Sequence, residues 1–155
     1  MITTMPAQQL HRTGSFGLPC SPDQAFPLFS PEGERLWIKT WDPKPIYPDT
    51  IEFCRDTVFR EGEANDDALW TILDADPVAR RAEYVRHAAN SHAAHITVKI
   101  DPASTGSQVT VTYTLTVFGP NAAELLANFS ESGYVEKMRN WHSQITAYLE
   151  TADSR

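Results

Sequence analysis

The sequence predicts an α+β domain in which a curved antiparallel sheet wraps a long C-terminal helix. Three observations predict it. Between residues 51 and 118 the β-rich runs IEFC, TVFR, ALWTIL, RAEYV, HITVKI and QVTVTYTLTVF follow one another across short turn-forming stretches such as Glu61-Gly62. Such spacings leave no room for crossover helices, so neighbouring strands must pair as antiparallel hairpins. From Asn121 to Glu150 the apolar spacing becomes helical, and near the start two Ser-Pro-acid sequences open short helices. A sheet with one apolar face needs a cover, and the terminal helix is the natural one.

Taken in order, residues 1–13 are polar and without periodicity and are expected to be flexible, with order beginning near Gly14. Phe16, Leu18 and Cys20 then alternate with Ser15, Gly17 and Pro19, the period-2 pattern of a first strand, and Pro19 puts it at an edge or a strand end. Ser21-Pro22-Asp23-Gln24 combines a capping hydroxyl, a proline at the first helical position and a capping-box Gln. Pro27 keeps this helix short or kinks it. Ser30-Pro31-Glu32 opens a second short helix, expected to run through Leu36, Trp37 and Ile38.

WDPKPIYP, residues 41–48, has three prolines in eight positions and must be extended and stiff. In the strand region the clearest run is 109–117. Val109, Val111, Tyr113, Leu115 and Val117 share one face while Thr110, Thr112, Thr114 and Thr116 share the other, so one face is inside and one is wet. In the terminal region Leu125, Leu126 and Phe129 form one stripe and Tyr134, Met138, Trp141, Ile145, Tyr148 and Leu149 another, out of phase with the first. The helix is therefore expected to break between Ser130 and Gly133. A single domain over residues 14–150 and a short tail over 151–155 follow.

At 155 residues and 17.4 kDa the chain has the size of one domain. Surface scaling lets it bury about 70% of its unfolded surface, enough for a core and a cavity without metal or disulfide staples. Thirteen basic against 20 acidic residues give a net charge of −7, which argues against nucleic acid as a partner. No apolar stretch reaches the roughly 20 residues of a membrane span, and the opening MITTMPAQQLHRTG lacks the apolar centre of a secretory signal. The expected compartment is the cytoplasm, with Cys20 and Cys54 as reduced thiols. A second copy of the chain, forming a homodimer, is a compatible partner.

The early Ser-Pro helices, the connector WIKTWDPKPIYP, the strand VTVTYTLTVFGP and the terminal segment EKMRNWHSQITAYLE resemble the helix-grip superfamily of START-related and birch-pollen-allergen-like proteins (SRPBCC). Within it, they resemble the bacterial polyketide cyclase/dehydrase and lipid-transport group. The resemblance runs from about Gly14 to Glu150. It implies a cavity between the concave sheet face and the terminal helix. Carried onto this chain, the implied wall includes Trp70, Tyr84, Arg86, Val111, Tyr113, Leu115, Met138, Trp141 and Ile145. The same residues could equally fill a closed core, since an aromatic stripe at helical spacing serves both.

Along residues 82–88 only one of two alternating sets faces inward. A three- or five-residue turn after Ala88 aligns Tyr84 and Arg86 with Ile96 and Val98, whereas a two- or four-residue turn aligns Val85. We favour Ala82, Tyr84 and Arg86 inside, because Glu83 and His87 are easily solvated. An inward Arg86 needs a partner and could bind a ligand carboxylate or enolate; an edge-strand arginine in water is the alternative.

His87, His92 and His95 lie within nine residues, but no Cys or helical His-x-x-x-His accompanies them, so no metal is expected. Asp42 beside Pro43 suits a turn or an acid at the cavity mouth, His142 should point outward, and Cys54 has no evident base. Gly-x-Gly-x-x-Gly, P-loop and Gly-x-Ser-x-Gly elements are absent, and no cofactor is implied. Three readings of function remain open. The first is a carrier or sensor of an apolar or aromatic small molecule. Another is a cyclase, aromatase or dehydratase in which Tyr84, Arg86 or Tyr113 polarises a carbonyl. The third is a non-catalytic interaction module.

Overall fold

The computed structural model describes residues 6–61 and 68–153. Seven antiparallel strands form one sheet: β1 (Gln8–Leu18), β2 (Pro43–Tyr47), β3 (Val58–Glu61), β4 (Ala68–Asp76), β5 (Arg81–Ala88), β6 (His92–Ala103) and β7 (Gly106–Val117). Their spatial order is β1-β7-β6-β5-β4-β3-β2. Every neighbouring pair from β2 to β7 is consecutive in sequence. The first strand returns to lie beside the last, in register from Gln8 opposite Val117 to Leu18 opposite Ser107.

That register corrects the expected beginning of order at Gly14. Gln9, His11, Thr13 and Ser15 each meet a threonine of β7 on the wet face: Thr116 at 3.0 Å, Thr114 at 3.2 Å, Thr112 at 3.3 Å and Thr110 at 3.1 Å. Polar cross-strand pairs stabilise a sheet as apolar ones do. On the other face Val109, Val111, Tyr113, Leu115 and Val117 are buried, as the alternation predicts.

Both Ser-Pro signals open helices. α1 (Pro22–Ala25) carries the complete capping box of Ser21 and Gln24, and in α2 (Pro31–Glu34) the Ser30 hydroxyl accepts the Gly33 amide at 2.9 Å. A 3-10 turn, Phe26–Phe29, joins them. The second helix stops at Glu34 rather than continuing to Ile38. Beyond it the chain turns inward, so that Trp37 is buried and its indole N–H donates to the Leu28 carbonyl at 2.7 Å.

The proline-rich connector is extended as expected, and it goes further by pairing with β3 as the edge strand β2. Proline tolerates this position because the outer side of an edge strand needs no donor. The run IEFC, read as a strand, is instead irregular; its Phe53 ring lies over Phe26 and Tyr84, at centroid distances of 5.1 and 6.5 Å. Gly62, part of an expected turn, lies outside the described residues.

The terminal region is broken, as its two stripes require. α3 (Ala123–Asn128) and α4 (Glu131–Asp153) meet at Phe129 and Ser130, slightly before the expected position, and α4 runs three residues past Glu150. Ser130 caps α4 by accepting the Gly133 amide at 3.0 Å, which puts Gly133 inside the first turn. A Cβ there would lie 2.5 Å from the Asn128 carbonyl, so the close corner needs glycine. Arg12 of β1 secures the same corner by donating to the Phe129 carbonyl at 2.9 Å.

Candidate functional site

One side of the long helix packs on the sheet and an adjacent side faces open space. On the packed side a Cβ on Gly14 would lie 2.7 Å from Met138 Cγ, and the Tyr134 hydroxyl donates to the Val111 carbonyl at 2.7 Å. Val111, Met138 and Ile145 belong to this side and to the solid core, at 0, 5 and 0% exposure. Their expected place on a cavity wall is therefore corrected: where helix and strand are in contact no space remains between them.

On the side that carries Lys137 and Trp141, the sheet, α4, α3 and the segment from Pro31 to Asp42 enclose a cavity of about 700 Å³. Trp70, Tyr84, Arg86, Tyr113, Leu115 and Trp141 all line it. Tyr84 and Arg86 face inward because Ala88 pairs with His92 across a three-residue turn, so that Tyr84 opposes Ile96. Val85 takes the opposite face, and His87 is exposed.

Aromatic rings dominate the wall. Trp70 stacks on Phe59 at 5.8 Å and meets Trp41 edge-on at 5.7 Å, while Trp141 meets Trp37 edge-on at 5.5 Å. Trp41 donates its indole N–H to the Pro31 carbonyl at 2.9 Å, at the edge of the cavity, and Trp37 donates behind the wall to Leu28. The rings thus present apolar faces to the space.

One polar chain crosses this apolar wall. Glu61 Oε2 accepts from Trp70 Nε1 at 2.9 Å and from Arg86 Nε at 2.7 Å, giving the inward arginine the partner it needs. A further nitrogen of Arg86 lies 2.5 Å from His92 Nε2, and His92 Nδ1 lies 2.7 Å from the Ser91 hydroxyl. Arginine can only donate, so Nε2 is the bare nitrogen and Nδ1–H donates to Ser91. Burial, reinforced by the Arg86 charge, lowers the His92 pKa to about 4 and keeps the imidazole neutral.

Two hydroxyls on the wall differ. Tyr84 donates to the Phe29 carbonyl at 2.6 Å, so its proton is committed to the backbone. The Tyr113 hydroxyl has no hydrogen-bond partner among the described residues, and burial pushes its ionisation well upward, leaving a neutral phenol at the cavity. Of the two tyrosines considered for carbonyl polarisation, Tyr113 alone has an uncommitted hydroxyl, while Arg86 keeps N–H groups beyond those that meet Glu61 and His92.

Several functional candidates escaped the sequence reading: Glu34, Glu61, His92 as a wall residue, and Lys137 all border the cavity. Lys137 had a signal. It stands three residues after Tyr134 and four before Trp141, on the apolar face of the helix. The carboxylates had none, since Glu34 reads as a first-turn helix acid and Glu61 as part of a turn. Burial pushes the Glu34 carboxyl well above its ordinary range.

The remaining candidates scatter. His95 lies on the outer face against Glu83 at 3.0 Å, and His87 stacks on Phe118. Among the described residues no group of three His, Cys, Asp or Glu converges as a metal site. Asp42 borders the cavity but is engaged by Arg35 and Lys44, both at 2.9 Å, whose hydrogen bonds hold its carboxyl below the usual range. His142 is exposed, and neither Cys20 nor Cys54 is in a disulfide. No described helix is long and apolar enough to cross a membrane.

A curved seven-stranded sheet gripping a long helix, with short helices after the first strand and a cavity between, defines the helix-grip fold. Solved structures share it. An uncharacterised protein from Rhizobium leguminosarum matches with a TM-score of 0.66 at 16% identity, covering 94% of this chain and 97% of its own. Ara h 8.0201 matches at 0.63 and 14% identity, with 97 and 100% coverage. Norcoclaurine synthase from Thalictrum flavum, solved with dopamine and hydroxybenzaldehyde, matches at 0.54 and 12% identity, with 92 and 87% coverage. No protein-family model and no curated protein sequence matches the chain.

Proposed function

We propose that the chain binds a flat apolar or aromatic small molecule of lipid or polyketide type in this cavity. Its volume of about 700 Å³, walled by Trp41, Trp70 and Trp141 with a limited set of polar groups between them, is the observation that carries the reading. Ligand sites of this kind are mostly apolar, with a few fixed polar groups that set orientation. The rings hold the ligand's face, and Tyr113 offers a hydrogen bond to an oxygen at its edge. That a protein of the same fold holds dopamine and hydroxybenzaldehyde supports an aromatic occupant. The low cysteine content, two in 155 residues, supports a reducing compartment, the cytoplasm.

A screen of aromatic polyketides and fatty acids by thermal shift tests the proposal. A ligand at a hundred times its Kd stabilises the fold by about 2.7 kcal/mol. We expect a rise in Tm for wild type and a much smaller one for Trp141→Ala. Equal shifts in both would put the ligand elsewhere, and no shift with any compound would overturn the proposal. The uncommitted Tyr113 hydroxyl favours a second reading, a cyclase- or dehydratase-type enzyme in which Tyr113 polarises a carbonyl while the walls hold the chain folded. Turnover of a shifting compound, lost in Tyr113→Phe with binding retained, separates the two.

A further inference from the structure

The sequence contains four lysines, and three of them are ordinary. Lys39, Lys44 and Lys99 are exposed, and Lys44 and Lys99 pair with Asp42 and Asp101. Lys137 is different in each respect. It enters the cavity from the rigid α4, where Nζ lies 5.2 Å from the Tyr113 ring centroid, 5.5 Å from Trp141 and 5.7 Å from Phe129. No carboxylate forms an ion pair with it among the described residues. From α2 the Glu34 carboxyl faces the same space, also without an ion-pair or hydrogen-bond partner among them.

Each of the two charges favours the other, but burial is the larger influence on both groups. Burial disfavours charge on both, raising Glu34 and lowering Lys137, and the nearby Arg86 charge lowers Lys137 further. An uncharged amine is a nucleophile, and an undissociated carboxyl is a proton donor. Desolvation in an apolar pocket beside another cation is a recognised way to activate a lysine amine.

We propose that Lys137 captures a carbonyl ligand, its Nζ condensing with an aromatic aldehyde or ketone held between the rings to form an imine. The inference rests on the ligand-binding reading above. In the first step the Nζ lone pair attacks the carbonyl carbon, the C=O π pair moves to oxygen, and oxygen takes a proton while nitrogen gives one up, yielding a carbinolamine. In the second step that hydroxyl is protonated and leaves as water, the nitrogen lone pair closes the C=N bond, and the last N–H proton is released. Glu34 is the acid that supplies and recovers these protons. The balance is one carbonyl and one amine giving one imine and one water, with no oxidant or reductant.

Incubation of the full chain with 2-naphthaldehyde and cyanoborohydride near neutral pH, read by intact mass and peptide mapping, tests the proposal, with 2-naphthylmethanol as the unreactive analogue. We expect adduct at Lys137 to form severalfold faster than at Lys39, Lys44 or Lys99, because the aldehyde is held beside it and burial favours its uncharged amine. Excess naphthylmethanol should suppress it, Lys137→Arg should remove it while the far-UV spectrum stays native, and Glu34→Gln should slow it. Labelling spread evenly over the four lysines, together with a Tm rise from naphthylmethanol in wild type, would overturn the imine and leave the cavity reading standing. Binding of 2-naphthoate that is lost in Lys137→Met, without aldehyde adduct, would also overturn it and make Lys137 a cationic anchor. Neither labelling nor a Tm rise would defeat the cavity reading and the imine with it.

Discussion

Met138 occupies the space that a side chain at residue 14 would need: its Cγ lies 2.7 Å from where a Cβ on Gly14 would sit, with the Tyr134 ring 3.2 Å away. Glycine here lets the long helix close on the first strand. Gly14→Val should cost about 1–3 kcal/mol through overpacking. Met138→Ala alone should also destabilise, but the double variant should lose less than the sum, a coupling that urea denaturation of all four proteins measures.

Glu61 and Arg86 should behave as a unit. Glu61→Ala leaves the guanidinium without its carboxylate and the Trp70 indole N–H without an acceptor, and should cost about 1–3 kcal/mol. Replacing both charges, as Glu61→Leu with Arg86→Met, should give a protein closer to wild type in stability. A double variant weaker than either single one would refute this.

Stability should fall in mild acid because of His92. Its folded pKa of about 4 lies below the ordinary 6.5, so the unfolded chain binds more protons between these values. The stabilisation is therefore complete above pH 6.5 and is lost as pH falls through 4, up to about 3 kcal/mol in all. His92→Gln should flatten this part of the stability profile, which chemical denaturation from pH 4 to 7 will show.

Trp141 and Ile145 stand one helical turn apart, one beside empty space and the other in the solid core. Ile145→Ala should cost about 3–4 kcal/mol. The larger truncation Trp141→Ala should cost less, about 2 kcal/mol, because part of the ring already faces the cavity. The reverse order in urea would mean that the space beside Trp141 closes in solution.

What could be read from sequence was local. The Ser21 and Ser30 caps, the alternation from Val109 to Val117 and the phase jump near Ser130 each depend on residues a few positions apart. The inward turn of Tyr84 and Arg86 followed from turn length and the solvation of their neighbours. Where the reading failed, the deciding contact was distant. Gln9 and His11 look like a loose terminus until they meet threonines more than a hundred residues away, and Pro43–Tyr47 becomes a strand only because β3 offers an edge. Phe53 gives IEFC a strand-like composition, yet its ring covers Phe26 and Tyr84 from an irregular segment. Glu34, Glu61 and Lys137 acquire meaning only from the space they share, which no local pattern encodes.

The distribution of indole rings has a practical corollary. Of the four tryptophans, Trp41, Trp70 and Trp141 border the cavity and Trp37 lies one ring behind Trp141. Almost all of the intrinsic ultraviolet emission of the chain therefore originates within one ring diameter of the occupant. A flat chromophoric ligand entering the cavity would quench or accept energy from every emitter at once, so the protein carries its own optical titration signal and needs no attached dye.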